Sequence, residues 1–223
     1  MATRISVSWD RLADVLGLDC VHMDYRGSGA PTAGGLASCA VGDRWSLAGG
    51  RAQRFSDNDD WHYVFTEMER DGRVLNLLAV HLHPYYPLSS GDVRDGVRDL
   101  ARGETAALID LGHSGAEVIR VQGAESAALL ARVARFRDAT VVAGDFNSTR
   151  DASLHAALRR RLVDAWERGG RGFGGTVRFW RGLPLRIDYI YVTEAFAVGG
   201  TRVPALDCSD HRPVVAELVL REP

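Results

Sequence analysis

Thr140-Val141-Val142-Ala143-Gly144-Asp145-Phe146-Asn147 decides the reading of this chain. Its first four residues are a short apolar, β-branched run of the kind that forms a buried strand. A glycine, a carboxylate and an amide follow at the end of that strand. Two stretches further on repeat the arrangement. Arg186-Ile187-Asp188-Tyr189-Ile190-Tyr191-Val192 sets an acid into an apolar strand, and Ser209-Asp210-His211-Arg212-Pro213-Val214 sets an acid and an imidazole before a proline-led one. Singly, Gly144-Asp145 reads as a turn and Ser209-Asp210-His211 as a turn cap. An acid such as Asp188 inside an apolar strand is costly unless paired, which favours a site. Together the three supply what a metal-assisted attack on phosphorus needs: carboxylates for a hard divalent cation, an Asp to orient water, and a His to meet phosphate oxygens.

Working outward, residues 63–69 alternate as a strand, and Asp71-Gly72 is a hairpin signal leading into residues 74–81. That second run is almost wholly apolar, as in a strand covered on both faces. Residues 35–41 read as a further strand, and 185–192 and 213–220 as the last two. Residues 92–111 and 117–136 are helix-like and broken around Gly112 and Gly115; Ala124, Ala127, Ala128, Leu130, Ala131 and Val133 are the expected core face of the second helix. Residues 154–162 read as a helix, and 168–175 as a mobile loop rich in Gly and Arg. Interleaved strands and helices, with hairpins as well as crossovers, predict an α/β or α+β sandwich of mixed sheets covered by helices.

The chain has 223 residues, 46% of them hydrophobic, enough for one sizeable core. No apolar segment approaches the ~18 residues of a membrane span. A net charge of −2 gives no global basic signature for nucleic acid. Every basic residue is arginine. Three cysteines, Cys20, Cys39 and Cys208, form no CxxC pair, which argues against a disulfide framework or a zinc site and favours a reducing, cytoplasmic compartment.

These motifs, with the strand ending in Val80-His81-Leu82 before them, resemble the endonuclease/exonuclease/phosphatase superfamily, which includes DNase I-like nucleases, sphingomyelinases and inositol-phosphate phosphatases. The resemblance implies a DNase I-like four-layer sandwich, two packed mixed sheets flanked by helices, formed as a single domain over residues 1–223. It implies a phosphoesterase dependent on Mg2+ or Mn2+. Carried over by motif, Asp145 would orient or deprotonate the attacking water and share the metal with Asp210. Asn147 would hold a phosphate oxygen or that water. His211 would stabilise transition-state charge, with Asp188 fixing its tautomer. His81 would contact the phosphate or serve as general acid toward the leaving group. Arg178, Trp180 and Arg181 read equally as substrate contacts or as a solvated hairpin tip.

The chain departs from the family at its start, where a strand ending in Asn and another ending in Gln-Glu, the latter a metal ligand, are expected. Either those strands are missing and residues 10–18 match the helix that follows them, or residues 4–10 and 13–20 are degenerate versions, with Asp19 or Cys20 standing where the Glu belongs. The first is favoured, because parallel neighbours need a connection of about a dozen residues. Either way the metal ligand set is thin, so the alternative to a phosphoesterase is a binding module on the same fold. The near-neutral charge favours a small phosphate ester or lipid head group over duplex DNA. Oligomeric state is not legible.

Overall fold

The computed structural model describes residues 19–25, 34–40, 46–54, 62–83, 106–178, 184–206 and 209–222. Its centre is a six-stranded mixed sheet in the order β3-β4-β5-β6-β10-β7. The strands are β3 (Ser46–Arg54), β4 (His62–Arg70), β5 (Arg73–His81), β6 (Ala139–Asp145), β7 (Val163–Asp164) and β10 (Asp188–Val192). Only β5 and β6 run parallel, joined by a crossover that contains the helix α1 (Ala106–Val133). The β4–β5 hairpin turns on Asp71 and Gly72, both at positive φ as the Asp-Gly signal predicts.

Alternation along the central strands sorts side chains onto two faces. Leu78, Val80, Val142, Tyr189 and Tyr191 meet Leu129 and Val133 of α1 and Leu154 and Leu158 of α2 (Ser153–Leu158). Each fully buried large aliphatic there contributes about 1.5–3 kcal/mol. On the other face Ala139, Val141 and Val192 pack with Phe196, Leu218 and Leu220 of the hairpin β11 (Phe196–Arg202) and β12 (Val215–Leu220). The hairpin of β1 (Asp19–Tyr25) and β2 (Gly34–Ala40) packs on β3, β4 and β5. Among the described residues β1–β2 and β11–β12 are two separate antiparallel hairpins beside the central sheet. The short α3 (Ala165–Gly169) packs on β11, and β8 (Val177–Arg178) pairs with β9 (Pro184–Leu185).

Several expectations change. The helix runs unbroken through Gly112 and Gly115, each costing about 1 kcal/mol against Ala, a local cost that a 28-residue helix packed along residues 118–133 tolerates. Its inward face is Val118, Gln122, Glu125, Leu129 and Val133, while Ala124, Ala127 and Ala131 are exposed. The expected core face had followed the alanines, but two polar residues take the inward places. Residues 185–192 are not one strand. The chain changes partner at residues 186–187, where Thr176 Oγ1 accepts from the N–H groups of Ile187 and Asp188. The expected mobile loop at 168–175 is a turn folded on Trp166, whose indole Nε1 donates to the Gly172 carbonyl at 3.3 Å. A Cβ at Gly170 or Gly174 would lie 2.4 Å from that ring. The strands β1, β3 and β11 carry no clear alternation in sequence. Residues 1–18, on which both readings of the N-terminus mostly rest, lie outside the described residues, while Asp19 and Cys20 of the second reading begin β1 and pair antiparallel with Ala40 and Cys39 of β2.

Candidate active site

Three adjacent strands end in one row. His81 of β5 lies opposite Asp145 of β6, and Asp145 lies opposite Asp188 of β10. Register partners point to the same side of a sheet, so the three side chains share the face away from α1 and α2. Gly144 makes the row possible. Its φ is 143°, and a Cβ there would sit 1.9 Å from the Val80 carbonyl oxygen. After the strand, Asn147 takes a left-handed conformation (φ 47°), its N–H donating to Asp145 Oδ1 at 2.7 Å. Its Nδ2 donates to the Leu82 carbonyl at 2.8 Å, and Leu82 N–H donates to the Asp145 carbonyl at 3.0 Å. These bonds tie the end of β5 to the turn after β6.

His211 completes the group. Its Nδ1 donates to Asp188 Oδ2 at 2.9 Å, as the sequence reading expects of an acid behind an imidazole. A bridge from His211 to Val177 and a 2.7 Å bond from Arg212 N–H to the Thr176 carbonyl fix its backbone. Ligand atoms of Asp145, Asp188 and His211 all lie within 4.8 Å of one another. His81 Nε2 is 3.7 Å from Asp145 Oδ2.

The electrostatics are uneven. Burial and then the neighbouring Asp188 raise the Asp145 carboxyl to about 6. Burial, then the charge of His211, lower His81 to about 4, so its imidazole is neutral at pH 7. The hydrogen bond to Asp188 raises His211 to about 9 and holds it as an imidazolium. An imidazolium offers no lone pair, which leaves carboxylate oxygens as the donors a hard cation would find here.

Asp210, the other expected metal ligand, stands outside this three-residue group. Its exposed carboxylate accepts from Ser209 Oγ at 3.1 Å. It lines a neighbouring cavity of about 490 Å3 with Arg178, Arg212 and Thr176. Arg178 is thus near Asp210, while Trp180 and Arg181 lie outside the described residues. The sequence reading missed three supports. Thr176 carries no motif signal, though it anchors the start of β10. Buried His155 bonds to Ser148 Oγ at 2.9 Å and Tyr191 OH at 2.8 Å, bracing the turn that holds Asn147. Gln122 Nε2 donates to the His83 carbonyl and Glu125 Oε2 accepts its N–H, at 2.9 and 2.8 Å, which fixes the chain just past His81.

Comparison with known proteins bears on this geometry. No curated protein sequence matches the chain. Among solved structures it resembles the human Nocturnin catalytic domain with bound sulfate anion, at 16% identity and a TM-score of 0.67 over 96% of this chain and 76% of that one. It also resembles a mannosyl-6-phosphatase from Bacteroides thetaiotaomicron VPI-5482, at 17% identity and 0.55 over 95% and 80%. A third likeness is to humanized D. rerio TDP2, at 14% identity and 0.56 over 90% and 76%. At such identities the likeness is one of fold. The Endonuclease/Exonuclease/phosphatase family model matches residues 5–211, a span that holds His81, Asp145, Asp188 and His211, and the chain belongs to that family.

Proposed function

We propose that the chain is a divalent-metal-dependent phosphoesterase acting on a small phosphate ester. One observation carries the reading: His81, Asp145 and Asp188 in a single register row, with His211 held by Asp188 at 2.9 Å. Family members hydrolyse phosphate esters. Asp145 and Asp210 would hold the cation, and a carboxylate raised by burial and by the neighbouring Asp188, as Asp145 is, suits such an ion. When bound, it would supply positive charge to the phosphate oxygens.

The remaining roles follow from the residues. Asp145 would orient the attacking water or accept its proton, and its carboxyl is raised to about 6 where no cation offsets its charge. The imidazolium of His211 donates to a phosphate oxygen through its Nε2, because Nδ1 is committed to Asp188. Neutral His81 donates a hydrogen bond to the phosphate or leaving group, and an incoming anion would raise its proton affinity toward a general acid's. Asn147 is braced by Leu82 and Asp145 and presents its amide beside them. A net charge of −2 and an adjoining cavity of about 490 Å3 with two arginines favour a small substrate over duplex DNA.

The position of Asp210 outside the row favours one other reading, a binding module without hydrolysis. Turnover of an activated phosphodiester and phosphomonoester with Mg2+, Mn2+ or EDTA separates the two. The phosphoesterase gives metal-dependent rates that fall about 10²–10⁴-fold in His211→Ala and Asp145→Ala. Rates equal to wild type in both variants refute the roles of His211 and Asp145, and no turnover with either metal supports the binding module.

A further inference from the structure

A second cavity, of about 400 Å3, lies toward the other end of β5. Asn76 lines it, five residues before His81 and so about 17 Å away along the strand. The two side chains also point to opposite faces, since Asn76 shares the parity of Leu78 and Val80. This cavity is therefore separate from the row of His81, Asp145 and Asp188.

Arg132 of α1 is its central group. The guanidinium carbon lies 4.6 Å from the centre of the Phe65 ring and 5.6 Å from that of Phe136. Those rings stack on each other at 5.6 Å. Cation–π contact thus positions the guanidinium without using its N–H groups. Its Nε is buried and has no hydrogen-bond partner among the described residues. A buried donor in that state costs free energy until an acceptor arrives. Arg135 and Arg137 line the same cavity with Glu67 and Asp138, so among the described residues three cations face two carboxylates. Asn76, 4% exposed, adds a buried amide.

That balance selects a class of ligand. A net positive cavity takes an oxyanion, and a guanidinium fork matches phosphate or carboxylate geometry. Carboxylates and an amide beside it suit hydroxyl groups, which donate and accept. We propose that this cavity is a second ligand site for a small phosphorylated polyol, a sugar phosphate in chemical class. Arg132 grips the phosphate, while Asn76, Glu67 and Asp138 take the hydroxyls. The volume suits such a ligand.

Calorimetry in EDTA tests this with three probes: glucose 6-phosphate, glucose and inorganic phosphate. Glucose 6-phosphate should bind about tenfold or more tighter than either half, and equally to wild type and Asp145→Ala. Arg132→Leu should weaken it about tenfold or more. Arg135→Ala, at an exposed position that leaves the stack intact, should weaken it severalfold and decides the matter if Arg132→Leu misfolds. No binding by wild type overturns the proposal. So does binding lost with Asp145→Ala, which would place the ligand in the row instead, or binding unchanged in the arginine variants.

Discussion

Replacing Asp188 with Asn tests the electrostatic reading of His211 without depending on any substrate. The Asp188 side chain accepts from His211 Nδ1 at 2.9 Å, and that bond is the largest cause of the rise of His211 from 6.5 to about 9. The difference corresponds to about 3 kcal/mol of preference for the imidazolium, at about 1.4 kcal/mol per pH unit. Both side chains are partly exposed, 30% for His211 and 19% for Asp188, so screening leaves about 2 kcal/mol. An asparagine keeps the shape and loses the charge, and burial of His211 then works unopposed by its partner. The expected result, read by proton NMR titration of the His211 ring in EDTA, is a fall from about 9 back toward 6.5. Stability should follow with a definite sign. A folded-state value above the unfolded one means that the stabilisation is complete below pH 6.5 and is lost as pH rises through about 9. Wild type should lose about 2 kcal/mol across that window relative to Asp188→Asn. An unmoved His211 titration, or parallel stability curves, would show that Asp188 does not hold the imidazolium.

Other expectations concern the same region. His155 is fully buried and lowered to about 4 by that burial, so its folded form resists a proton that the unfolded chain accepts below 6.5. Wild type should therefore lose about 3 kcal/mol relative to His155→Gln as pH falls from 6.5 to 4, and denaturant titrations with no such difference would contradict a buried neutral imidazole. Gly144→Ala puts a Cβ 1.9 Å from the Val80 carbonyl oxygen at a φ that L residues avoid. It should cost about 3 kcal/mol or more and part β5 from β6, read as lost amide-exchange protection at Val80 and Leu82; a wild-type melting temperature would refute the close approach. Asp145→Asn keeps an acceptor for the Asn147 N–H and removes a carboxylate raised to about 6. In EDTA it should be about 1–2 kcal/mol more stable than wild type at pH 7 and should lose any stabilisation by Mg2+; equal metal shifts in both would remove Asp145 from the ligand set.

The row of strand ends was legible because its signals are local. The run Thr140-Val141-Val142-Ala143, the Gly-Asp step after it and the acid inside Asp188–Val192 each carry their meaning within a few residues. Strand alternation then dictates that His81, Asp145 and Asp188 face one way once their strands pair in register. What was not legible depends on distant partners. Nothing in the sequence around Thr176 shows that its hydroxyl will take two N–H groups from the start of β10. Gln122 and Glu125 carry no signal of burial beside a row of alanines, yet they turn inward, where they give the His83 backbone a donor and an acceptor. The strand β11 contains Gly199 and Gly200 and shows no alternation; its burial is decided by Val198 and Phe196 packing against the central sheet. Gly112 and Gly115 misled for the converse reason, since a local cost was outweighed along a 28-residue helix.

The charges of the row argue for a cation independently of any motif. At pH 7 Asp188 is paired with the imidazolium of His211, so those two groups cancel. His81 is neutral, because burial and the charge of His211 hold it at about 4. Asp145, raised only to about 6, is mostly ionised, and the Asn147 N–H and the charge of His211 offset it less than burial and Asp188 oppose it. Asp210 stands nearby with a further exposed carboxylate. Among His81, Asp145, Asp188, His211 and Asp210 the charges sum to a negative value, so a phosphate set against Asp145 would be repelled there, with Arg178 and Arg212 in the adjoining cavity. Protonating Asp145 would relieve the repulsion but remove the group placed to accept a proton from water. A divalent ion would also relieve it, offsetting the charge of Asp145 while leaving it unprotonated, and would supply positive charge to the phosphate. The raised Asp145 and the lowered His81 fit the proposed metal-dependent site, and each would move toward its ordinary range as an ion and a phosphate were added.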